Sequence, residues 1–277
     1  MAWLWLAKSP VGQLPTNQPT SPLAPLSLLR GAMEHLEIMG AVIAIALGYL
    51  TVSRERANRT LPLIMSRPVS SGELATGSLL GALGVIATLV ATPAAVGVLS
   101  VGLVGHGWIN GGQAVKLLLA YAAAILYMGA FYCLGAVATA KSKVSTNGLM
   151  IALGVWLVVV LVLPQIGDTL DADNQIPGGL FSALGLGHDG EVQILAHFTT
   201  YETVRTSIEA ASFAKHFERF AFAMTDVKER FRGLSLSELF FEVRSSIIWI
   251  LIYAAALPIA MRRSFRKQPT ISQGERQ

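Results

Sequence analysis

The sequence predicts an all-α polytopic transmembrane helix bundle with about five full spans, and three observations predict it. Residues of the AVILMFWYC set make up 53% of the 277 residues and Asp, Glu, Lys and Arg only 14%, with a mean hydropathy of +0.55, whereas soluble domains carry roughly 25% charged residues. Charge-free apolar intervals recur at lengths that cross a bilayer, whose core of about 30 Å takes about 20 helical residues. Basic residues gather in alternate connections, as they do at cytoplasmic helix ends. These features exclude a soluble enzyme. The net charge of +4 reads as topology-setting charge rather than as a nucleic-acid surface.

In chain order, Met1–Ala7 is apolar but only seven residues long, too short for a signal-peptide core or a full span. It is left open as the stub of a truncated sixth helix. Pro10, Pro15, Pro19, Pro22 and Pro25 keep the following stretch extended, so residues 1–32 form a Pro-rich N-terminal segment. Residues 38–53 carry no charge and extend back to Leu36 as the first span. The interval 74–115, 42 residues without Lys, Arg, Asp or Glu, exceeds one span. The turn chemistry of Gly105-His-Gly-Trp-Ile-Asn-Gly-Gly112 divides it, ending the second span near 104 and starting the third near 113. The third closes at 140, the fourth occupies 144–167 and the last 245–261. Residues 33–165 thus hold four spans with a connecting loop at 53–73, residues 166–244 a long segment outside the membrane, and residues 245–277 the last span and a basic tail.

Eleven Lys and Arg lie in the loop 53–73, the loop 140–146 and the tail, against three (Lys8, Arg30 and Lys116) in the short segments of the other side. The eleven are assigned to the cytoplasm, with the C-terminus. The segment 166–244, with 12 acidic and 7 basic residues, is then extracytoplasmic. Within it Phe213, Phe217, Phe220, Met224, Val227 and Phe231 recur at helical steps on one stripe, while Lys215, Glu218 and Arg219 fall largely off it. This external amphipathic helix either covers the outer face of the bundle, lies in the interface or closes an exit as a lid. Ser235-Leu-Ser-Glu238 has the form of a capping box before the last span.

Inside the spans, Gly77, Gly81 and Gly84 offer a small-residue face for close helix packing, and Pro93 is expected to kink its helix. Glu34 and Glu37 sit at a span end and are expected to snorkel to water, leaving no buried charge to mark an ion-coupled pathway. Cys133, the single cysteine, excludes a disulfide framework and packs among apolar neighbours. His188, Asp189, Glu191 and His197 lack the tight spacing of a metal site, so no metal is assigned. No G-x-S-x-G or H-E-x-x-H occurs to support hydrolysis.

The loop reads Ser53-Arg-Glu-Arg-Ala-Asn-Arg-Thr-Leu-Pro-Leu-Ile-Met-Ser-Arg-Pro-Val-Ser-Ser-Gly-Glu-Leu74. A charged approach, an apolar stretch Leu61–Met65 and a Pro68 stop describe a short helix beneath the membrane. The arrangement resembles the permease subunits of type-2 ATP-binding-cassette transporters, whose cytoplasmic loop has the form E-R-E-x-G-T-L…L-L-S-x-P-V-S-R-x-E. Glu55, Arg56, Thr60, Leu61, Ser66, Pro68, Val69, Ser70 and Glu73 fall on that pattern. Ala57, Arg59, Ser71 and Ser78 depart from it. The resemblance covers roughly residues 33–267. It implies a membrane-spanning exporter subunit in the plasma membrane, paired with a second permease copy as a homodimer or heterodimer and coupled to a separate ATPase chain. ATP and Mg would be bound by that partner. The chain itself would carry no cofactor and no ATPase site, and it has no G-x-x-x-x-G-K-[ST]. Glu55, Arg56, Arg59, Thr60, Leu61, Leu63, Ile64, Met65, Arg67 and Pro68 would meet the ATPase. The competing class is a non-transporting membrane scaffold or assembly protein, surrounded like a permease by lipid and with no nucleic-acid partner.

Overall fold

The computed structural model describes residues 26, 29–57, 71–104, 109–170, 184–185, 199–227, 231 and 233–266. Five helices are long and apolar enough to span a bilayer: α1 (Arg30–Ala57), α2 (Ser71–Val104), α3 (Gly111–Lys141), α4 (Ser145–Gly167, whose last turns run on to Leu170) and α8 (Arg244–Arg266). Between α4 and α8 come α5 (Thr199–Ala211), α6 (Phe213–Met224) and α7 (Leu236–Glu242). No strand occurs among the described residues. The fold class is the all-α polytopic bundle that composition and charge-free intervals predict.

Local chemistry sets the helix ends. Asn110 accepts the backbone N–H of Gln113 at 2.8 Å and the Gln113 side chain accepts the N–H of Asn110 at 3.0 Å, so α3 starts two residues before the expected 113. Ser235 and Glu238 form the expected box at α7. Its hydrogen bonds from the Ser235 hydroxyl and backbone N–H hold the Glu238 carboxyl below its usual range. The helix α2 runs unbroken across Pro93, and α8 across Pro258. With 34 residues, α2 is about 51 Å long at 1.5 Å per residue, so it tilts or projects beyond the hydrocarbon.

The central element is α3. Of its most apolar stretch 67% is buried inside the chain, against 11% for α2 and 17% for both α4 and α8, which makes α3 the axis and the other three its lipid-facing wall. Exposed hydroxyls on α2 are internally satisfied: Thr88, Thr92 and Ser100 each donate to a carbonyl three or four residues back in the helix, so these donors reach hydrocarbon already paired. Parallel to α3 lies α1, in backbone contact. A Cβ on Gly48 would sit 2.2 Å from the Tyr132 carbonyl oxygen, and one on Gly135 2.4 Å from that of Ile45. Antiparallel to it, α4 brings Gly148 to 2.4 Å of the Thr139 Cα by the same measure. These glycines do the close packing. Gly77, Gly81 and Gly84 have nothing within 4 Å of a would-be Cβ, so the small-residue face expected to pack is open in this chain.

Two π turns correct the sequence reading. Leu36–Gly40 is π-helical within α1, and the extra residue turns the preceding face by about 100°, so Glu37 is 9% exposed instead of snorkelling. Its neighbour Glu34 does reach water, paired with Arg30 at 2.6 Å. Leu157–Val162 is the second π turn, within α4. Pro164 follows it and cannot donate, and the Val159 carbonyl takes the Ser212 hydroxyl at 2.8 Å instead.

Candidate functional site

The first candidate region is the bundle end where α1 and α3 finish. Arg56, in the last turn of α1, donates from Nη1 to the Ser142 carbonyl at 2.9 Å and from Nη2 to the Ala140 carbonyl at 2.7 Å. Carbonyls in the last turn of a helix have no intrahelical partner and sit at the negative end of its dipole, so a guanidinium there satisfies them and binds α1 to α3. Around this clamp Arg54, Lys141, Lys143, Arg262 and Arg263 are exposed. Glu55 is half-buried.

The second region is at the other end, where α6 enters the bundle. Ser212 caps it, accepting the Lys215 N–H at 3.2 Å. Phe213 and Phe217 then meet Tyr127 of α3, with ring centroids at 4.9 and 4.6 Å, the second pair stacked at 21°. Tyr127 donates to the Glu37 carbonyl at 3.0 Å, which ties the aromatic cluster to the π turn of α1. From α8, Tyr253 lies 4.5 Å from Phe213, and Trp249 stacks on His216 at 5.7 Å. Phe213, Ala214, His216, Phe217, Phe220, Ala221, Phe222, Ala223 and Met224 are all buried.

The helix is therefore inserted among its neighbours and not laid over them. The reason is that its polar side chains are neutralised: Lys215 pairs with Glu218 at 2.9 Å, Arg219 with Glu209 of α5, and Arg205 with Glu209 at 3.5 Å. The stripe is also not one helix. It stops at Met224, where Thr225 donates from Oγ1 to the Ala221 carbonyl, the Val227 N–H reaches the Phe222 carbonyl at 3.1 Å, and Asp226 takes a φ of 51°. Asp tolerates that left-handed conformation better than most residues. Val227, half-buried, and Phe231, buried, belong to the connection beyond. At the turn Asp226 pairs with Lys116 of α3 at 2.9 Å, both side chains 12% exposed. Lys116, expected in a short loop, and Glu37 thus place charge inside the bundle, where none was expected.

Residues 17–267 match the family model described as ABC-2 family transporter protein. The chain belongs to that family. No curated protein matches the sequence closely enough to add to this. The match covers all five spans, so this ABC-2 permease is a multi-pass membrane component of an ABC transporter. Of the residues read as its coupling loop, Glu55 and Arg56 end α1, while Arg59, Thr60, Leu61, Leu63, Ile64, Met65, Arg67 and Pro68 lie outside the described residues. So do His188, Asp189, Glu191 and His197. Sequence reasoning missed the Arg56 clamp, because a helix-terminal arginine looks the same whether it faces a partner or its own bundle. It also missed the Lys116 to Asp226 pair, which joins residues 110 positions apart.

Proposed function

We propose that this chain is the membrane-spanning subunit of an ATP-driven exporter in the plasma membrane. In this reading the Arg56 end faces the cytoplasm, a separate ATP-binding-cassette ATPase that binds ATP and Mg docks on residues 53–73, and a second permease copy completes the pathway. The observation that carries the reading is the exposed cations Arg54, Lys141, Lys143, Arg262 and Arg263 gathered at one end, the distribution that sets cytoplasmic orientation. The chain also has no phosphate-binding G-x-x-x-x-G-K-[ST] of its own. Within the loop, Glu55, Arg59 and Arg67 supply polar contacts to the ATPase and Leu61, Leu63, Ile64 and Met65 the apolar knob, with Thr60 and Pro68 assigned to the same coupling segment. Arg56 has a different role. Its two Nη groups are given to carbonyls of α3, so it positions the loop and passes its displacement to the central helix.

Two measurements test this. Cys133 is buried and gives no background, so new cysteines report topology. Those at 140–146 and after 262 are expected to be shielded from an impermeant thiol reagent in intact cells, and one near 190 to be labelled. Labelling of 140–146 from outside would reverse the orientation. For coupling, Glu55→Ala with Leu63→Asp is expected to insert normally and to lose the ATPase that co-purifies with the wild-type chain. Arg56→Gln is expected to keep that ATPase while its hydrolysis no longer responds to the permease. A double variant with full ATPase capture and coupled hydrolysis at equal membrane abundance overturns the loop assignment. A wild-type chain that forms stable membrane complexes with no ATPase favours the scaffold reading.

A further inference from the structure

The ring of His216 is buried at the centre of the α6 seat. Its Nε2 lies 2.9 Å from the Ala210 carbonyl oxygen, which can only accept, so Nε2 carries the proton of the neutral ring. Its Nδ1 is buried and has no hydrogen-bond partner, so the ring holds a bare lone pair where no donor reaches it. One face stacks on Trp249, interplanar angle 16°. Among the described residues, the charge that acts on the ring is that of Arg219. On α6 itself Lys215 is paired with Glu218, and Arg219 is a cation that disfavours a second one. From α5, Glu209 is held by Arg219 and Arg205. From α3, Lys116 is held by Asp226. From α1, Arg30 pairs with Glu34 and lies over the Phe222 ring at 5.4 Å, and the Glu37 carboxylate belongs to the π turn beneath Tyr127. The facing parts of α8 and of the α4 π turn present Trp249, Tyr253 and aliphatic side chains.

We propose that protonation of His216 unseats α6, so that this inserted helix is a pH-sensitive plug at its end of the bundle. A second proton must go on Nδ1, placing a buried N–H with no acceptor and a full charge beside Arg219 in an apolar seat. The attraction of an imidazolium to the Trp249 face is small beside that desolvation. Burial is the first cause pushing the His216 pKa below its ordinary 6.5, with Arg219 acting in the same direction and the Ala210 hydrogen bond opposing. The sign follows from linkage. The seated form binds the proton less readily than the released one, so seating is at full strength above about pH 6.5 and weakens as pH falls below that toward the lowered value. The inference does not depend on an ATPase. On the topology proposed above, it makes the outer end of the permease responsive to external acidity.

The test uses the whole chain in lipid nanodiscs, following hydrogen–deuterium exchange of residues 213–224 from about pH 8 to pH 5. After correction for the intrinsic pH dependence of exchange, protection of these amides is expected to be lost progressively as pH falls below about 6.5, while amides of α3 stay protected. His216→Gln can still donate to the Ala210 carbonyl but cannot take the charge, and its profile is expected to be flat. If that variant does not accumulate, His216→Phe, which keeps a ring on Trp249, takes its place. A flat wild-type profile overturns the proposal. So does a variant with the wild-type pH response, which would place the responsible group elsewhere in the chain.

Discussion

Gly135→Val is expected to abolish the folded protein, and Gly135→Ala to remove most of it. Even the single methyl of alanine would stand 2.4 Å from the Ile45 carbonyl oxygen and 3.0 Å from the Ile45 Cα. Those are backbone atoms of a helix and cannot swing aside as a side chain does. At the neighbouring contact, a methyl on Gly48 would meet the Tyr132 carbonyl oxygen at 2.2 Å and the Ala136 nitrogen at 2.8 Å. Relief requires α1 and α3 to separate along their length. Separation would also break the Tyr127 hydrogen bond to Glu37 and the Arg56 clamp, which depend on the same spacing. Overpacking a soluble core costs about 1–3 kcal/mol. In a bilayer, packing is itself the main force between helices, so the loss here is expected at the upper end of that range or beyond. Gly81→Ala, which adds a methyl in open space within this chain, is the matched control and should melt like wild type in detergent. A Gly135→Ala chain with wild-type yield and thermal midpoint would mean that the two helices do not touch at these positions.

The contrast between these glycines shows where the sequence was legible. Span number and extent follow from charge-free length, because desolvating a charge is the dominant cost in hydrocarbon, and the spans read at 74–104, 113–140, 144–167 and 245–261 agree with α2, α3, α4 and α8 to within a few residues. Which helix touches which is a different kind of information. Gly77, Gly81 and Gly84 advertise a packing face by their regular spacing, yet the glycines that meet the backbone of another helix are Gly48, Gly135 and Gly148, on three different helices and brought together only in space. A π turn is equally silent, since it is a change of register with no residue signature, and it is what carries Glu37 inward. At α6 the spacing read correctly as helical over Phe213–Met224. The polar residues between the aromatics read as a solvent face, and that was misleading. Glu209, the partner that neutralises Arg219, sits on a different helix, and its availability cannot be inferred from the stripe.

The double variant Phe217→Glu with Phe220→Glu is expected to expel α6 while leaving the five spans assembled. Both side chains are buried, Phe217 at 0% and Phe220 at 6% exposure, and removing one such ring costs about 3–5 kcal/mol from lost transfer and cavity terms. Adding a carboxylate where the ring stood costs several kcal/mol more unless a cation can reach it. The cations of α6 are already committed, Lys215 to Glu218 and Arg219 to Glu209. The helix is short, 12 residues, and helices below about 12–15 residues are marginal on their own. Once out of its seat, α6 is therefore expected to lose helicity as well as contacts. The bundle has independent ties: the glycine contacts of α1 with α3 and of α3 with α4, and the Tyr132 hydroxyl, which reaches Thr51 and the Ser78 carbonyl at 3.3 Å each. Limited proteolysis in nanodiscs is expected to cut the variant within 199–233 while the fragments stay associated, and Phe217→Leu, which keeps an apolar volume, to resist cleavage much as wild type does. Loss of the whole bundle in the double variant would mean that α6 is part of the folding core and not a separable plug. Wild-type resistance and thermal stability would mean that Phe217 and Phe220 are not buried against Tyr127 and its neighbours at all.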